Sequence, residues 1–426
     1  MKNVLIACAS RRDRRELSFD HVKIGFNVFF YTYDQTKSLQ KIWSPHVGWI
    51  ADTFDPLTVI EELVSYAQAL NVHGVAGSDD YPASIFTSIV AQSLGLPGAH
   101  PVRSILCHHK YYARQAQQKY VSEAVPEFCI INPREPQLKN FTLSFPFFIK
   151  PVKSRLSAFA TVVHNWQELR QCFTTHRFPQ QFIQQFNWFL RNYLPGEHDT
   201  DHLLAETLLE GNQVTVEGYV YKGHVHILGV VDSIMYPGTI SFERFEYPSS
   251  LSMDVQERMA LIAKKCITGI GLDNTLFNIE MMYNSVTNGI HIIEINPRMS
   301  SQFADLFEKV DGFNTYSLML QLATGIQPTP MHRKGTHVVA ASFVLRLFED
   351  KLVSQVPTEQ ELARLHAQFP DLRIEVLAQE GKRLSHDLQD GKSYRYGLIN
   401  LGGTDFKQLY ASFNVCKQSL TFAFND

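Results

Sequence analysis

The fold is decided by two short segments, Leu276-Phe-Asn-Ile-Glu280 and His291-Ile-Ile-Glu-Ile-Asn-Pro-Arg298. Alternate residues of a strand share a face, so each segment predicts a strand that is polar on one side and apolar on the other. A turn centred on residues 284–288 would join the two strands as a hairpin. In that hairpin Glu280 lies opposite Glu294, and Asn278 lies opposite Asn296. The polar groups of both strands are therefore predicted to meet on one face.

Two facing carboxylates favour a bound cation. Directly opposed side chains lie roughly 4.5–5.5 Å apart at Cβ, and like charges at that distance repel each other. Mg²⁺ would relieve the repulsion, because it takes oxygen ligands and is usually held by one or two carboxylates together with substrate phosphates. The alternative is an amphipathic hairpin whose polar face simply meets water. The residues that follow the second strand favour the metal site.

The end of the second strand carries a family pattern. Glu-x-Asn-Pro-Arg at 294–298, preceded by Asn-x-Glu at 278–280, resembles the signature of the ATP-grasp superfamily. The resemblance implies an Mg²⁺ (or Mn²⁺) site with the ligands Glu280, Glu294 and Asn296. It also implies that Asn278 binds ATP and that Arg298 is catalytic, meeting a reacting acyl phosphate. Weaker similarity extends from the N-terminus to about residue 330.

Composition agrees with a soluble enzyme of several domains, since the chain has 426 residues and 45% hydrophobic content. The net charge of −3 argues against a nucleic-acid or membrane-surface partner. The basic cluster at residues 11–15 is an exception, and we interpret it as a solvated loop or helix start, or as a contact to an anionic ligand. No apolar run approaches the roughly 20 residues that span a bilayer, and no signal peptide is recognisable, so we expect a cytoplasmic protein. The six cysteines show no zinc-site spacing.

Residues 1–105 predict an α/β domain with a parallel sheet, which in the ATP-grasp family precedes the ATP-binding region. Strands are expected at 3–9, 28–33 and 72–76, with a helix at 56–70. Gly77-Ser-Asp-Asp80 follows the third strand at the carboxyl edge of the sheet, where open α/β sheets bind ligands. Ser78 and Asp79 either cap the next helix or contact a substrate. The first βα turn lacks Gly-x-Gly-x-x-Gly, which argues against a Rossmann dehydrogenase.

Residues 106–205 are expected to form a small lid with two functional lysines. Lys110 lies among helix formers and Lys150 ends a predicted strand, and either alone would be a solvated charge. Beside the hairpin, they match the two lysines that the superfamily places on the ATP phosphates, a role that suits a flexible ammonium group. The following loop, 152–159, lacks the glycines of many relatives. Ser154 and Ser157 could donate hydroxyls there, and Lys153 or Arg155 could add charge.

Residues 206–330 are expected to form the antiparallel core with the Mg-ATP site, and residues 331–426 a small C-terminal α/β domain. The family resemblance implies that Glu206, Thr207 and Leu209 form the hinge that holds adenine, with Glu206 near the exocyclic amine or the ribose. The alternative is a plain connector with Glu206 in water. Residues 232–248 predict a long loop that lines the acceptor site, with Glu243 and Arg244 as candidates.

The resemblance implies an ATP-dependent carboxylate–amine ligase of the ADP-forming type. A small carboxylate would be phosphorylated to an acyl phosphate, and an amine, such as that of an amino acid, would take the acyl group. Two alternatives stay open: bicarbonate activation of the biotin-carboxylase kind, and a nucleotide-binding protein without ligase turnover. A homodimer is compatible with the sequence, which does not name the acid, the amine or the oligomeric state.

Overall fold

The computed structural model describes residues 1–32, 40–44, 48–134, 136, 141–154, 158–175, 178–194, 200–386, 389–390 and 393–426. No helix within these ranges is long and apolar enough to cross a membrane. Short 3₁₀ turns occur at Ser122–Ala124, Ser301–Phe303 and Leu384–His386.

The N-terminal region is built on a parallel sheet, as predicted. Its elements are β1 (Lys2–Ile6), α1 (Arg11–Glu16), β2 (Phe26–Phe30), β3 (Gln40–Ser44), β4 (Gly48–Thr53), α2 (Pro56–Ala69), β5 (Gly74–Ala76) and α3 (Ala83–Ser93). The strand order is β2-β1-β5 with both pairs parallel, while β3 and β4 form a separate antiparallel pair. Val4, Leu5 and Ile6 are fully buried, as expected for a central parallel strand covered on both faces.

The loop after β5 does not cap the helix that follows it, which was one of the two roles predicted for Ser78 and Asp79. Helix α3 begins at Ala83 with Pro82 at its N-cap position, and no side chain caps it. The capping role predicted for Ser78 and Asp79 is therefore wrong, because the helix starts several residues later. The buried Ser78 hydroxyl instead donates to Asp13 in α1. This contact fixes the loop that carries Asp80 against the start of α1.

The next region supplies the lysines. Its elements are α4 (Pro101–His108), α5 (Lys110–Tyr120), β6 (Phe128–Ile131), β7 (Phe147–Pro151), β8 (Thr161–Val163), α6 (Trp166–Thr175), α7 (Gln180–Tyr193) and β9 (Leu203–Thr207). The four strands form an antiparallel sheet in the order β6-β9-β7-β8. Lys110 is the first residue of α5, and Lys150 lies on β7 next to β9. The sheet thus aligns Lys150 with the strand that ends in the predicted hinge.

The core begins with a long antiparallel meander. Its elements are β10 (Asn212–Tyr221), β11 (His224–Met235), β12 (Phe242–Tyr247), α8 (Met253–Ile270), β13 (Thr275–Asn284), β14 (Gly289–Asn296), α9 (Ala304–Asp311) and α10 (Thr315–Ala323). The prediction of a long loop over 232–248 is wrong, because β11 and β12 occupy most of this range and pair with each other. Alternating aromatic and charged residues pack there on the two faces of a sheet.

The C-terminal strands extend the same sheet. The elements are β15 (Val339–Leu347), β16 (Leu352–Gln355), α11 (Glu359–Gln368), β17 (Arg373–Val376), β18 (Gln389–Asp390), β19 (Ser393–Gly403), α12 (Phe406–Gln418) and β20 (Ala423–Asn425). The sheet runs β14-β13-β10-β11-β12-β15-β19-β17, with β18 paired to β19. The boundary that we predicted at residue 330 therefore falls between strands of one continuous sheet. The metal-site hairpin lies at one end of this sheet.

Candidate active site

The hairpin of β13 and β14 has the register that the sequence predicts. Asn278 pairs with Asn296 and Glu280 with Glu294, and a bulge follows Glu280. Strand β10 lies beside β13 and adds another polar residue to this face, since Glu217 pairs with Asn278. Apolar residues on the opposite face pack against helix α8, in a buried cluster that includes Val216, Ile279, Ile295, Met259 and Ala263. The apolar packing fixes which face the carboxylates occupy.

The two facing carboxylates differ in their surroundings. Glu294 Oε1 accepts from Lys110 Nζ at 2.5 Å. Burial opposes charge on Glu294, but Lys110 and Lys150 outweigh it and lower the pKa of this carboxyl. Glu280 accepts from the neutral amide of Gln213 at 3.0 Å. Burial and the charge of Glu294 raise the pKa of Glu280 to about 7. A divalent cation between the two groups would favour the ionised form of Glu280.

The asparagine pair is held by its own amides. Asn296 Nδ2 donates to Asn278 Oδ1 at 2.9 Å, and Asn278 Nδ2 donates to the backbone oxygen of Arg298 at 3.3 Å. This orientation leaves the side-chain oxygen of Asn296 as its ligand atom. Both polar atoms of Asn278 are used within the protein, so in this structure Asn278 positions Asn296 and Arg298. Direct contact between Asn278 and a nucleotide stays a prediction.

A buried network surrounds Lys150. Glu206 accepts from Lys150 Nζ at 2.7 Å and from Arg114 Nε at 2.5 Å, and Arg114 also donates to the backbone oxygen of Ile293 at 2.9 Å. Burial opposes charge on Glu206, but Arg114 and Lys150 outweigh it and lower the pKa of this carboxyl to about 2. Burial outweighs Glu206 at Lys150 and lowers the pKa of that ammonium group. The network ties β7 and β9 to β14.

Glu206 belongs both to this network and to the predicted adenine hinge. Its carboxylate is only 4% exposed, so the alternative with Glu206 in water is wrong. Because the carboxylate is held by two cations, an adenine base would meet backbone groups just beyond β9 more readily than this side chain. Thr207 is exposed and Leu209 is half-buried at that point. Their contact with a base stays a prediction.

Arg298 is anchored to the N-terminal region. Its Nη2 atom lies 3.6 Å from Asp80 Oδ2, and His108 Nδ1 lies 3.3 Å from Asp80 Oδ1. Burial opposes charge on Asp80, but Arg298 and His108 outweigh it and lower the pKa of that carboxyl. At Arg298 burial is outweighed by Asp80 and Asp79, which raise the pKa of the guanidinium. The loop after β5 is therefore part of the same site as the hairpin.

The predicted phosphate loop is described only in part. Lys153 is buried, with Nζ 4.4 Å from the centre of the Tyr81 ring and 3.4 Å from His108 Nδ1. Ser154 is also buried. Ser157 and Arg155 lie outside the described residues. The start of the loop is thus packed against the N-terminal region, where Lys153 stacks on an aromatic ring.

Four residues of the site were missed by sequence reasoning: Arg114, Glu217, Asp80 and His108. Arg114 lies one helical turn after Lys110, a spacing that puts both cations on one face of α5. Glu217 could have been found from the alternation of Gln213, Thr215 and Glu217 along β10. No local signal marks Asp80 and His108 as partners, because their contact joins distant parts of the chain.

The candidate acceptor residue Arg244 is not at this site. Arg244 Nε donates to Glu246 Oε1 at 2.6 Å, and its guanidinium lies 5.3 Å from the centre of the Tyr410 ring of α12. Its neighbour Phe245 belongs to the buried cluster on the other face of the sheet, with Phe303. Since neighbouring strand residues point to opposite faces, Arg244 faces away from the hairpin residues and α9.

The residues fit a metal bound together with phosphate. Within the described ranges, no group of three or more His, Cys, Asp or Glu side chains is placed to hold a metal ion alone. Mg²⁺ is, however, usually held by one or two carboxylates together with substrate phosphates, and the side-chain oxygen of Asn296 would add a further oxygen ligand. The raised pKa of Glu280 and the two nearby lysines agree with a site for a cation and a polyanion.

The comparisons with known proteins bear on the fold that carries this site. The ATP-grasp domain family matches residues 143–306. The fold is similar to that of an L-amino acid ligase from Bacillus licheniformis, with 16% identity and a TM-score of 0.74 over 100% of this chain and 99% of that chain. No curated protein matches the chain by sequence.

Two further solved structures share the fold. A phosphoribosylglycinamide synthetase from Anaerococcus prevotii has 16% identity and a TM-score of 0.66, over 99% of both chains. The biotin carboxylase domain of the Hydrogenobacter thermophilus 2-oxoglutarate carboxylase, a dimer in complex with MgADP and bicarbonate, has 13% identity and a TM-score of 0.68 over 100% of this chain and 91% of that chain. At these identities the likeness shows the fold, an α/β ATP-grasp architecture.

Proposed function

We propose that this protein is an ADP-forming carboxylate–amine ligase, because residues 143–306 match the ATP-grasp domain family. ATP would phosphorylate a small carboxylate, and an amine would then displace phosphate from the acyl phosphate to give an amide. The observation that supports the proposal most strongly is the facing pair Glu280 and Glu294, with Lys110 bound to Glu294 at 2.5 Å. A hairpin whose polar face simply met water would not hold two half-buried, facing carboxylates beside lysines.

Lys110 would exchange its carboxylate partner for a phosphate when ATP binds. Lys110 and Lys150 are each paired with a carboxylate, Glu294 and Glu206 respectively. When Lys110 moves to a phosphate oxygen, Glu294 is free to bind the metal. The lysine is then balanced by phosphate, and the Glu294 carboxylate by the metal ion. Mg²⁺ held by Glu280, Glu294 and Asn296 would neutralise charge between the phosphates during transfer. Lys150 keeps its orientation because Glu206 is also held by Arg114.

Arg298 would stabilise the acyl phosphate. The 3.6 Å contact with Asp80 orients the guanidinium without using all of its five N–H donors. A guanidinium can grip a phosphoryl or carboxylate group at two points and stays protonated throughout. Asn278 fixes the backbone of Arg298 from the other side. These contacts place a rigid cation beside the metal-site hairpin.

The remaining parts of the proposal concern the whole chain. We divide it into a pre-ATP domain (1–105), a lid (106–205), a core (206–330) and a C-terminal domain (331–426), and we expect a cytoplasmic enzyme. The similar biotin carboxylase domain is a dimer, which supports a test for a homodimer by light scattering.

Release of ADP and phosphate from Mg-ATP tests the proposal. We would measure it across amino acids, other carboxylates and bicarbonate, each with and without amines. Release that needs both an acid and an amine, and that disappears in Glu294→Gln, would support the ligase. Glu359→Gln, at an exposed helix start, is the matched control and should keep full activity. Release with bicarbonate alone would favour carboxylation instead, and tight ATP binding without any release would oppose ligase turnover on these substrates.

A further inference from the structure

His108 is a buried histidine whose two ring nitrogens both face polar groups. Only 5% of the residue is exposed. Nε2 lies 2.6 Å from Ser84 Oγ in α3, while Nδ1 lies 3.3 Å from Asp80 Oδ1 and 3.4 Å from Lys153 Nζ. The ring therefore stands between the loop after β5, which carries Asp80, and the start of the predicted phosphate loop, which carries Lys153.

Asp80 and Lys153 compete for the same nitrogen of His108. An ammonium group can only donate a hydrogen bond, and an ionised carboxylate can only accept one. Nδ1 must therefore offer a lone pair to bind Lys153 but carry a proton to bind Asp80. Burial and the charge of Lys153 outweigh Asp80 and lower the pKa of His108 well below its ordinary value. The ring is neutral, so Nδ1 serves one of the two partners at a time.

The hydrogen bonds assign the tautomer of the ring. Asp80 Oδ1 is buried and has no hydrogen-bond partner among the residues that the structure describes, so its 3.3 Å contact with Nδ1 is not a hydrogen bond. Nδ1 instead accepts from Lys153, which leaves the proton on Nε2, where it donates to Ser84 Oγ. A buried carboxylate oxygen without a donor is costly, so Asp80 would be stabilised by a proton on Nδ1.

Asp80 connects this ring to Arg298. The other carboxylate oxygen of Asp80, Oδ2, lies 3.6 Å from the Nη2 atom of Arg298. A hydrogen bond from Nδ1 to Oδ1 would hold the second oxygen and so restrict rotation of the carboxylate. Hydrogen bonds to a charged group are short and directional. The tautomer of His108 thus determines how firmly Asp80 orients the guanidinium of Arg298.

Lys153 is the partner of His108 that a nucleotide would remove. In the proposed ligase, phosphoryl groups bind Lys110 and Arg298, and both of these cations act on Asp80 together with Lys153. A polyphosphate among these cations attracts an ammonium group more strongly than a neutral imidazole or an aromatic ring does. When Lys153 turns to a phosphate oxygen, Nδ1 can take a proton. Nε2 releases one by exchange with water, so the ring stays neutral, and Ser84 then donates to Nε2.

We propose that His108 is a positioning residue, a tautomeric switch that couples bound nucleotide to Arg298. Without nucleotide, Nδ1 accepts from Lys153 and Nε2 donates to Ser84. With nucleotide, Lys153 binds phosphate, Nδ1 donates to Asp80, and Asp80 holds Arg298 in place for the acyl phosphate. This inference rests on the ligase function proposed above, because that function places phosphate beside Lys153 and gives Arg298 its role.

Nitrogen NMR of the imidazole ring tests the switch without any turnover. The full chain with isotope-labelled histidines would be compared with and without Mg²⁺ and a non-hydrolysable ATP analogue, and the His108 signals identified by their loss in His108→Gln. We expect a proton on Nε2 without nucleotide and on Nδ1 with it. Lys153→Met should show the proton on Nδ1 even without nucleotide. The same tautomer of wild type in both states, or a charged ring, would overturn the proposal.

Kinetics test whether His108 acts through Arg298. The amide of His108→Gln reaches Ser84 but not Asp80, so this variant should lower turnover on the order of tenfold and leave the KM for ATP unchanged. His108→Asn, whose amide can replace the N–H of Nδ1, should recover part of the loss. In an Arg298→Ala background, His108→Gln should cause no further loss, since both changes affect the same interaction. His366→Asn, in an exposed position of α11, is the matched control and should keep full turnover.

The outcomes separate this inference from the ligase proposal. If no combination of acid and amine gives ADP release, the ligase proposal fails, and the NMR comparison still decides on the switch. If His108→Gln turns over as wild type does, or if it and Arg298→Ala lower turnover independently, the switch is wrong while the ligase stands. Should neither His108 variant fold, the signal that changes in Lys153→Met identifies the ring, and the comparison of wild type with and without nucleotide gives the same test.

Discussion

Glu206 is the residue whose removal should destabilise the protein most clearly. Its buried carboxylate binds Arg114 at 2.5 Å and Lys150 at 2.7 Å, so Glu206→Gln leaves two buried cations without their anion. Burial opposes charge on this carboxyl, but the two cations outweigh it and lower its pKa from 4.5 to about 2. Since a tenfold change in an equilibrium constant is about 1.4 kcal/mol, this depression corresponds to about 3 kcal/mol. Loss of one partner of a buried ion pair costs about 3–5 kcal/mol, which agrees.

The contribution of Glu206 should depend on pH. A carboxyl whose pKa is depressed on folding stabilises the protein above its unfolded pKa, and that stabilisation is lost as the pH falls toward the folded value. The free energy of unfolding of wild type should therefore exceed that of Glu206→Gln by about 3 kcal/mol at neutral pH. The difference should shrink as the pH falls from 4.5 toward 2. Urea unfolding, followed by circular dichroism at a series of pH values, measures it.

Glu210→Gln is the matched control for this measurement. Glu210 is exposed, lies four residues after Glu206 and carries the same charge. Its substitution should change the free energy of unfolding by less than about 0.5 kcal/mol. If Glu206→Gln were as stable as Glu210→Gln, or if its loss of stability did not change with acid, the buried ion pairs of Glu206 would not stabilise the protein as described.

Three further substitutions test the site. Arg298→Ala should fold normally and lower turnover on the order of 10²- to 10³-fold, since it removes a transition-state donor, and steady-state rates near wild type would contradict this. Burial raises the pKa of Glu217 to about 8. Wild type should therefore lose stability relative to Glu217→Gln as the pH rises from 4.5 through 8. Parallel urea titrations of the two proteins would show whether it does. Asn278→Ala should weaken Mg²⁺ affinity about 10- to 100-fold, because Asn278 orients Asn296, and a titration of activity with Mg²⁺ that matches wild type would argue against that role.

The register of the metal-site hairpin could be predicted because it depends on local pattern. Alternation fixes which face Asn278 and Glu280 share, and a short turn fixes which residues lie opposite them. The bulge after Glu280 was not predictable, since it depends on how the end of the hairpin twists. It lies beyond the paired carboxylates and therefore leaves the predicted site intact.

Contacts between distant segments were not predictable from local pattern. Arg114 and Glu206 are both ordinary charged residues in sequence, and only the fold brings α5 beside β9. Serine is a common helix-capping residue, yet the Ser78 hydroxyl donates to Asp13, and helix α3 starts later, at Ala83. In these cases tertiary packing overrides a correct reading of local chemistry.

The C-terminal region shows a different reason for a partial prediction. Its strands were expected from their apolar runs, but their place in the sheet depends on pairing, which short strands do not encode. Strand β12 pairs with β15, so the C-terminal strands continue the core sheet. This continuity also brings β17 beside α1, where Glu375 accepts from Arg12 at 2.6 Å, a contact that no segment of the sequence indicates by itself.

The dependence of ATP binding on Mg²⁺ decides whether Glu280 and Glu294 hold a metal ion. Calorimetry with a non-hydrolysable ATP analogue would compare wild type with a Glu280→Gln, Glu294→Gln double variant, with and without Mg²⁺. We expect Mg²⁺ to strengthen binding at least tenfold in wild type and to have little effect in the double variant, because the facing carboxylates hold the metal. Equal Mg²⁺ dependence in both proteins, or no ATP binding by wild type, would contradict it.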